Sequence, residues 1–226
     1  NSLIGIAQSP NVIASEPLPQ YDQVLLDREM ALFRDWFLIE HLKLELTAQD
    51  ERILQQTFEI LRESALGQIQ VPVHRDYHSR NIMMLDDKSL GIIDFQDAVL
   101  GPITYDLVSL LRDCYIAWPL AKVEAWVKEY FTLAKKAGLI GAISDMQFML
   151  WFDWMGLQRH IKVAGIFSRL SIRDGKSAFL DDIPQTLNYI LQVSGQYDAL
   201  SEFHSWLQHR ILPLLDYELP VLDSQL

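Results

Sequence analysis

Cysteine is almost missing from this chain of 226 residues. The one thiol, Cys114, excludes an intramolecular disulfide and any zinc site built from cysteines. Basic residues are also short. Nineteen Lys and Arg stand against thirty Asp and Glu, a net charge of −11. Such a chain is a poor candidate for nonspecific contact with nucleic acid or an anionic membrane. No run of about eighteen apolar residues occurs, so no transmembrane helix is expected. The first residues, NSLIGIAQSPNVIASEP, have neither a basic start nor a long apolar core, which argues against a signal peptide. They also lack an initiator Met, so the chain reads as processed or as a fragment. These absences together predict a soluble, cytoplasmic, globular protein.

What the chain does hold is apolar and periodic. Half of the residues are hydrophobic and 11% are aromatic, enough for a sizeable core. Residues 1–20, with Pro10, Pro17 and Pro19, read as a linker or the remnant of a missing upstream lobe. From Tyr21 apolar residues recur at helical spacing through Leu26, Met30, Phe33 and Phe37. Thr47 and Asp50 form an imperfect capping box for a second helix that stops near Gly67. Val71-Pro72-Val73 is a short extended run. The segments 82–85 and 90–95 flank the turn-prone Asp86-Asp87-Lys88-Ser89, which predicts a β-hairpin. After Gly101-Pro102 the helical pattern returns, first through Leu107, Leu111 and Tyr115. Helices through Val123–Ala134, from an N-cap at Ser144, after Asp182-Pro184 and over 200–211 follow. The fold class is therefore mainly α with one small β-hairpin: a helical domain over 21–215 and a tail at 216–226. There is no internal repeat and no low-complexity tract.

Residues 74–113 concentrate seven aspartates, at 76, 86, 87, 94, 97, 106 and 113. Asp86 and Asp87 belong to the hairpin turn and read as solvated. A four-residue turn brings the start of one strand beside the end of the other, so Asn81 and Asp94 share an edge. An amide oxygen and a carboxylate there suit Mg²⁺, which takes few protein ligands and fills its shell with water and phosphate oxygens. Asp76, five residues before Asn81, can face the same space. Phosphoryl transfer to a hydroxyl needs this combination: one carboxylate for the acceptor and metal ligands for the phosphates.

HRDYHSRN (74–81) followed by IIDF (92–95) resembles the H-R-D-x-x-x-x-N and D-F-G motifs of protein kinases. His78, and Asp94-Phe95-Gln96 in place of D-F-G, look more like the aminoglycoside phosphotransferase and small-molecule kinase superfamily, which shares the kinase fold. GPITYDL (101–107) is similar to that family's segment after the metal-binding Asp. QDAVLGPITYDLVSLLRDCYIAWP and LQRHIKVAGIFSRL resemble the bacterial anomeric N-acetylmuramate/N-acetylglucosamine kinases of cell-wall recycling. The resemblance covers roughly residues 21–215 and implies the C-terminal lobe of a protein-kinase-like fold.

It also implies roles and partners. Asp76 is the acceptor-orienting base, Asn81 and Asp94 bind Mg²⁺, and His74 and Asp106 brace the loop. ATP and a small-molecule acceptor, an amino sugar in kind, are the expected partners, with no nucleic acid and no membrane. Asp97 faces the acceptor space, and Arg112, Arg159 or Lys162 is a candidate for an anionic acceptor. His78 has two readings, loop packing or substrate contact. Trp154, Gln158 and Arg159 can line an acceptor pocket, although the Trp151–Trp154 pair follows helical spacing and reads as core. Aminoglycoside or choline-type kinases, and a noncatalytic interaction module built on a kinase lobe, stay open as alternatives. A kinase of this type also needs a Gly-rich loop and a strand lysine over the phosphates. None of the ten glycines forms G-x-G, and the only lysine before His74 is Lys43. The chain is therefore expected to be inactive without an N-terminal lobe.

Overall fold

Long helical rows flank one short stretch, residues 70–102, in which β-prone residues and turn formers gather. That division decides the architecture. The computed structural model describes residues 2–13, 15–215 and 219. Eight α-helices follow one another: α1 Ser2–Ala7, α2 Gln23–Leu32, α3 Ala48–Leu66, α4 Tyr105–Leu111, α5 Leu120–Lys136, α6 Asp145–Asp174, α7 Ile183–Ser194 and α8 Ser201–Trp206. The chain stays π-helical after α2, over Phe33–His41, and after α8, over Leu207–Ile211. Six short strands complete the list: β1 Val12–Ile13, β2 Glu16–Pro17, β3 Gln70–Val73, β4 Ile82–Met84, β5 Leu90–Ile92 and β6 Val99–Pro102. The strands pair antiparallel as β1 with β2, β3 with β6, and β4 with β5.

The mainly α class and the hairpin fall where the residue pattern puts them. β4 and β5 pair with Ile82 opposite Ile92, around the turn at Asp86–Ser89. A second sheet was not expected. Val71-Pro72-Val73 belongs to β3, which lies against β6 with Val73 opposite Val99. Pro72 is tolerated because β3 is an edge strand and needs no donor on its open side.

The described residues divide into two compact units, one drawn from 2–22 and 64–155, the other from 23–63 and 156–215. Residues 1–20, expected as a linker or the remnant of an upstream lobe, include α1. Pro19 and the neighbouring Tyr21 dock on β6: Leu100 N–H donates to Pro19 O at 2.8 Å, and Tyr21 N–H to Leu100 O at 2.9 Å. Tyr21 is buried and packs edge-on against Tyr105, with ring centroids 5.2 Å apart. The core continues through Val71, Val99, Val108, Val127 and Phe152, all nearly or fully removed from solvent. At the start of α6, Ser144 Oγ accepts the Gln147 N–H at 3.1 Å, the expected N-cap. The tail over 216–226 lies, Leu219 apart, outside the described residues.

In the second unit the capping box is reciprocal. Thr47 N–H donates to Asp50 Oδ2 at 2.8 Å, and Asp50 N–H to Thr47 Oγ1 at 3.2 Å. Asp50 also accepts the Trp206 indole N–H at 2.7 Å, tying the start of α3 to α8. α6 meets the end of α2 at Gly165. A Cβ on Gly165 would stand 2.3 Å from the Leu32 carbonyl carbon, so only glycine fits this crossing. Gly165→Ala is expected to destabilise the fold by about 3 kcal/mol, because backbone rather than a flexible side chain must move. Urea unfolding measures it, and an unchanged midpoint would contradict the close approach.

Candidate active site

Residues 74–113 all lie in the first unit. The chain leaves β3 at Val73 and makes a tight loop before β4. The loop satisfies only part of its own backbone, and buried side chains take up the N–H groups at its start. Asp106, on the first turn of α4 and 6% exposed, accepts both the His74 N–H (Oδ2, 2.7 Å) and the Arg75 N–H (Oδ1, 3.0 Å). Arg75 takes a left-handed backbone, φ 73°, which costs an L-residue about 1–2 kcal/mol and must be held by its surroundings. Its guanidinium Nη1 donates to the Asp97 carbonyl at 3.3 Å, and Ser109 Oγ donates to the Arg75 carbonyl at 3.5 Å.

Asp76 sits at the loop's turn. Its backbone carbonyl accepts the His78 N–H and the Asn81 side-chain N–H, each at 3.0 Å. Its carboxylate takes no hydrogen bond from the described residues and is half-buried. The loop thus holds Asp76 by its backbone and leaves its side-chain oxygens for another donor.

Asn81 donates through Nδ2, so its Oδ1 carries the free lone pairs. Its carbonyl accepts the Ile93 N–H at 3.2 Å, which continues the hairpin ladder one step past the Ile82–Ile92 pair. Asp94 follows Ile93 directly. Asn81 and Asp94 therefore share the open end of the hairpin. Asp94 is exposed, has φ 72°, and accepts the Gln96 Nε2 at 2.6 Å. An amide oxygen beside a carboxylate is a hard, oxygen-only pair, and it fits Mg²⁺. Among the described residues there is no group of three or more His, Cys, Asp or Glu that could hold a metal.

His74 is buried, with its ring edge-on to Tyr77 at 6.1 Å. Burial pushes its pKa below the ordinary 6.5, against the opposing pull of the Asp76 and Asp94 charges. His78 is half-buried, edge-on to the Tyr115 ring at 5.7 Å. Asp97 is exposed and contributes its carbonyl to Arg75.

The acceptor candidates further along fare differently. Arg112, expected to meet an anionic acceptor, is buried instead. Its Nη2 pairs with Asp153 at 2.5 Å, and its guanidinium lies 4.7 Å from the Phe152 ring centre. A buried cation needs such a partner. Gln158, in the second unit, is wholly buried and donates to Glu29 Oε2 at 3.3 Å. Glu29 also pairs with Lys162 at 2.7 Å. Gln158 and Lys162 therefore belong to a buried polar cluster rather than to an open pocket. Trp154 and Arg159 are half-buried on α6, while Trp151 is in the core.

One feature escaped the sequence reading: a second buried carboxylate, Asp113, which contacts the loop and was visible only as one aspartate in an acidic stretch. Exposed apolar residues also stand in a row on and beside the hairpin: Met83, Met84, Leu85, Leu90, Ile93 and Phe95.

Residues 14–141 match the model of the phosphotransferase enzyme family. The chain is 45% identical over 190 residues to an N-acetylmuramate/N-acetylglucosamine kinase of Neisseria meningitidis serogroup B, covering 84% of this chain and 57% of that protein. It is 43% identical to the protein of the same name from Pseudomonas putida, over 82% of this chain and 55% of that one. The Pseudomonas aeruginosa relative is 41% identical, over 82% and 54%. The chain thus spans about half the length of these curated relatives. The family match takes in the loop, the hairpin and the α4 brace in one continuous span of more than half the sequence, and by that match the chain belongs to the phosphotransferase enzyme family.

Proposed function

We propose that these residues form the acceptor-side lobe of an ATP-dependent kinase that phosphorylates the anomeric hydroxyl of an N-acetylated amino sugar. One observation carries the chemistry: Asp76, whose carboxylate has no donor among the described residues, is held by the same short loop that holds the oxygen of Asn81. The acceptor class is supported by the names of the relatives. The anomeric position is supported by the resemblance of residues 96–119 and 157–170 to anomeric sugar kinases.

In this reading Asp76 accepts a hydrogen bond from the sugar hydroxyl and orients its lone pair. The sugar oxygen forms a bond to the γ-phosphorus, the bond from that phosphorus to the β,γ-bridging oxygen breaks, and the hydroxyl proton passes to Asp76. Asn81 and Asp94 would hold Mg²⁺, whose charge neutralises the phosphate oxygens. Asp106 fixes the backbone on which Asp76 stands, and buried His74 packs beneath it. The remaining phosphate contacts are assigned to a β-rich lobe outside these residues. Two facts support this assignment. The chain spans about half of its relatives' length, and the hairpin exposes apolar side chains that a second lobe would cover.

Turnover of the full polypeptide containing these residues tests the proposal. N-acetylmuramate and N-acetylglucosamine are compared with their methyl glycosides, an aminoglycoside and choline. Free reducing sugars are expected to react and the glycosides to stay at background. Equal rates with a glycoside would remove the anomeric assignment, and preference for the aminoglycoside would replace the acceptor class.

A further inference from the structure

Asp106 secures only the first two residues of the loop. The stretch from His78 to Asn81 carries the proposed metal ligand and needs its own support. That support comes from the exit of α4. The helix was expected to run on to Tyr115 but stops at Leu111, where Arg112 leaves the helical region with φ −122° and ψ 50°. Asp113 then turns back on the chain. It is 3% exposed, and its Oδ1 accepts the Tyr115 N–H at 3.1 Å. Such local side-chain-to-backbone bonds compete with helix continuation.

The other oxygen reaches the loop. Asp113 Oδ2 accepts the Ser79 N–H at 3.0 Å and the Ser79 hydroxyl at 2.6 Å. Three donors satisfy one buried carboxylate, which is what its burial requires. Tyr115, positioned by the same carboxylate, lies 3.4 Å below the Arg80 guanidinium and meets the edge of His78. Residues 113 and 115 thus touch 78, 79 and 80 in turn. Asn81 comes next. Its N–H donates to the His78 carbonyl, and its side chain donates to the Asp76 carbonyl. A shift at Ser79 therefore moves Asn81 relative to Asp76.

We infer that Asp113 is a positioning residue, a second clamp seven residues after Asp106, that sets the placement of Asn81 against Asp76. The inference rests on the roles proposed above for those two residues. The double clamp explains how a loop with a left-handed Arg75 keeps one shape: one carboxylate holds each end.

Asp113→Asn and Ser79→Ala, alone and combined, test it in the full polypeptide. Asp113→Asn keeps the volume but removes the charge that draws both Ser79 donors. The expected result is a kcat lower by about 10- to 100-fold, the range seen when support of a metal ligand is removed, with acceptor KM little changed. The concentration of Mg²⁺ needed for half-maximal nucleotide binding is expected to rise. Amide hydrogen exchange, read without nucleotide, is expected to quicken at 79–81 and to stay unchanged at 74–75, where Asp106 holds. The double variant should lose little more than Asp113→Asn alone. Unchanged kcat with a lowered melting temperature would overturn the inference, as would exchange that quickens equally at both ends. If Asp113→Asn does not fold, Ser79→Ala decides alone, and normal kcat with normal exchange at 79–81 would overturn it. Failure of the underlying reading looks different: Asp76→Asn would then keep its turnover, whatever the exchange pattern at Ser79.

Discussion

Asp76→Asn is expected to lower turnover by roughly two to four orders of magnitude, the span that a positioned general base contributes, with nucleotide affinity nearly unchanged. The structure makes this substitution a clean one. The loop grips Asp76 by its backbone carbonyl, through the His78 N–H and the Asn81 side chain, and the substitution keeps that carbonyl. The lost group is the carboxylate, which takes no hydrogen bond from the described residues. The melting temperature should therefore hold while kcat falls. Steady-state kinetics with the preferred sugar, beside a nucleotide titration, measures both. A variant that kept most of its rate would show that Asp76 is not the base.

The second large effect is expected at Asp94. Replacing it with Ala should abolish Mg²⁺-dependent nucleotide binding, because Asp94 is the charged member of the proposed ligand pair. The backbone there is left-handed, φ 72°, a conformation that Asp and Asn adopt more readily than Ala. Asp94→Asn is therefore the companion variant, since it removes the charge and spares the backbone. Both should lose the metal dependence, and neither should unfold the protein, since Asp94 is exposed. Titrating Mg²⁺ against nucleotide affinity reads the effect. An unchanged dependence would take Asp94 out of the site.

The parts of this fold that could be read from the sequence are those whose signals are local. The Thr47–Asp50 box and the Ser144 cap act within three residues, and both form. The 82–92 hairpin is set by a four-residue turn between apolar runs, and its register follows. The common end shared by Asn81 and Asp94 comes from that register alone. What could not be read is long-range. β3 meets β6 only after the whole loop and hairpin have intervened, and Gly101-Pro102 looked like a break rather than a strand end. Pro19 looked like linker or a lobe remnant because no nearby residue reveals its partner, Leu100.

Polar residues on helices were harder still. A helical row shows that Arg112 and Gln158 share a face with apolar neighbours, but not that Asp153 and Glu29 wait there as partners. Such residues invite a substrate role until burial shows otherwise. Asp113 is the reverse case. Its spacing from Asp106 was plain, but its value depends on Ser79, 34 residues away in sequence, folding back beneath it.

Whether this site delivers phosphate to the anomeric oxygen of an amino sugar, as proposed, is decided most directly by the product. N-acetylglucosamine labelled with ¹³C at C1 alone, incubated with ATP, Mg²⁺ and the full polypeptide containing these residues, gives a product readable by ³¹P NMR. The account predicts a sugar phosphate signal split by coupling to the labelled carbon, and loss of that signal in Asp76→Asn. A phosphorylated sugar whose ³¹P signal is unsplit, or that still forms at full rate in Asp76→Asn, would contradict it.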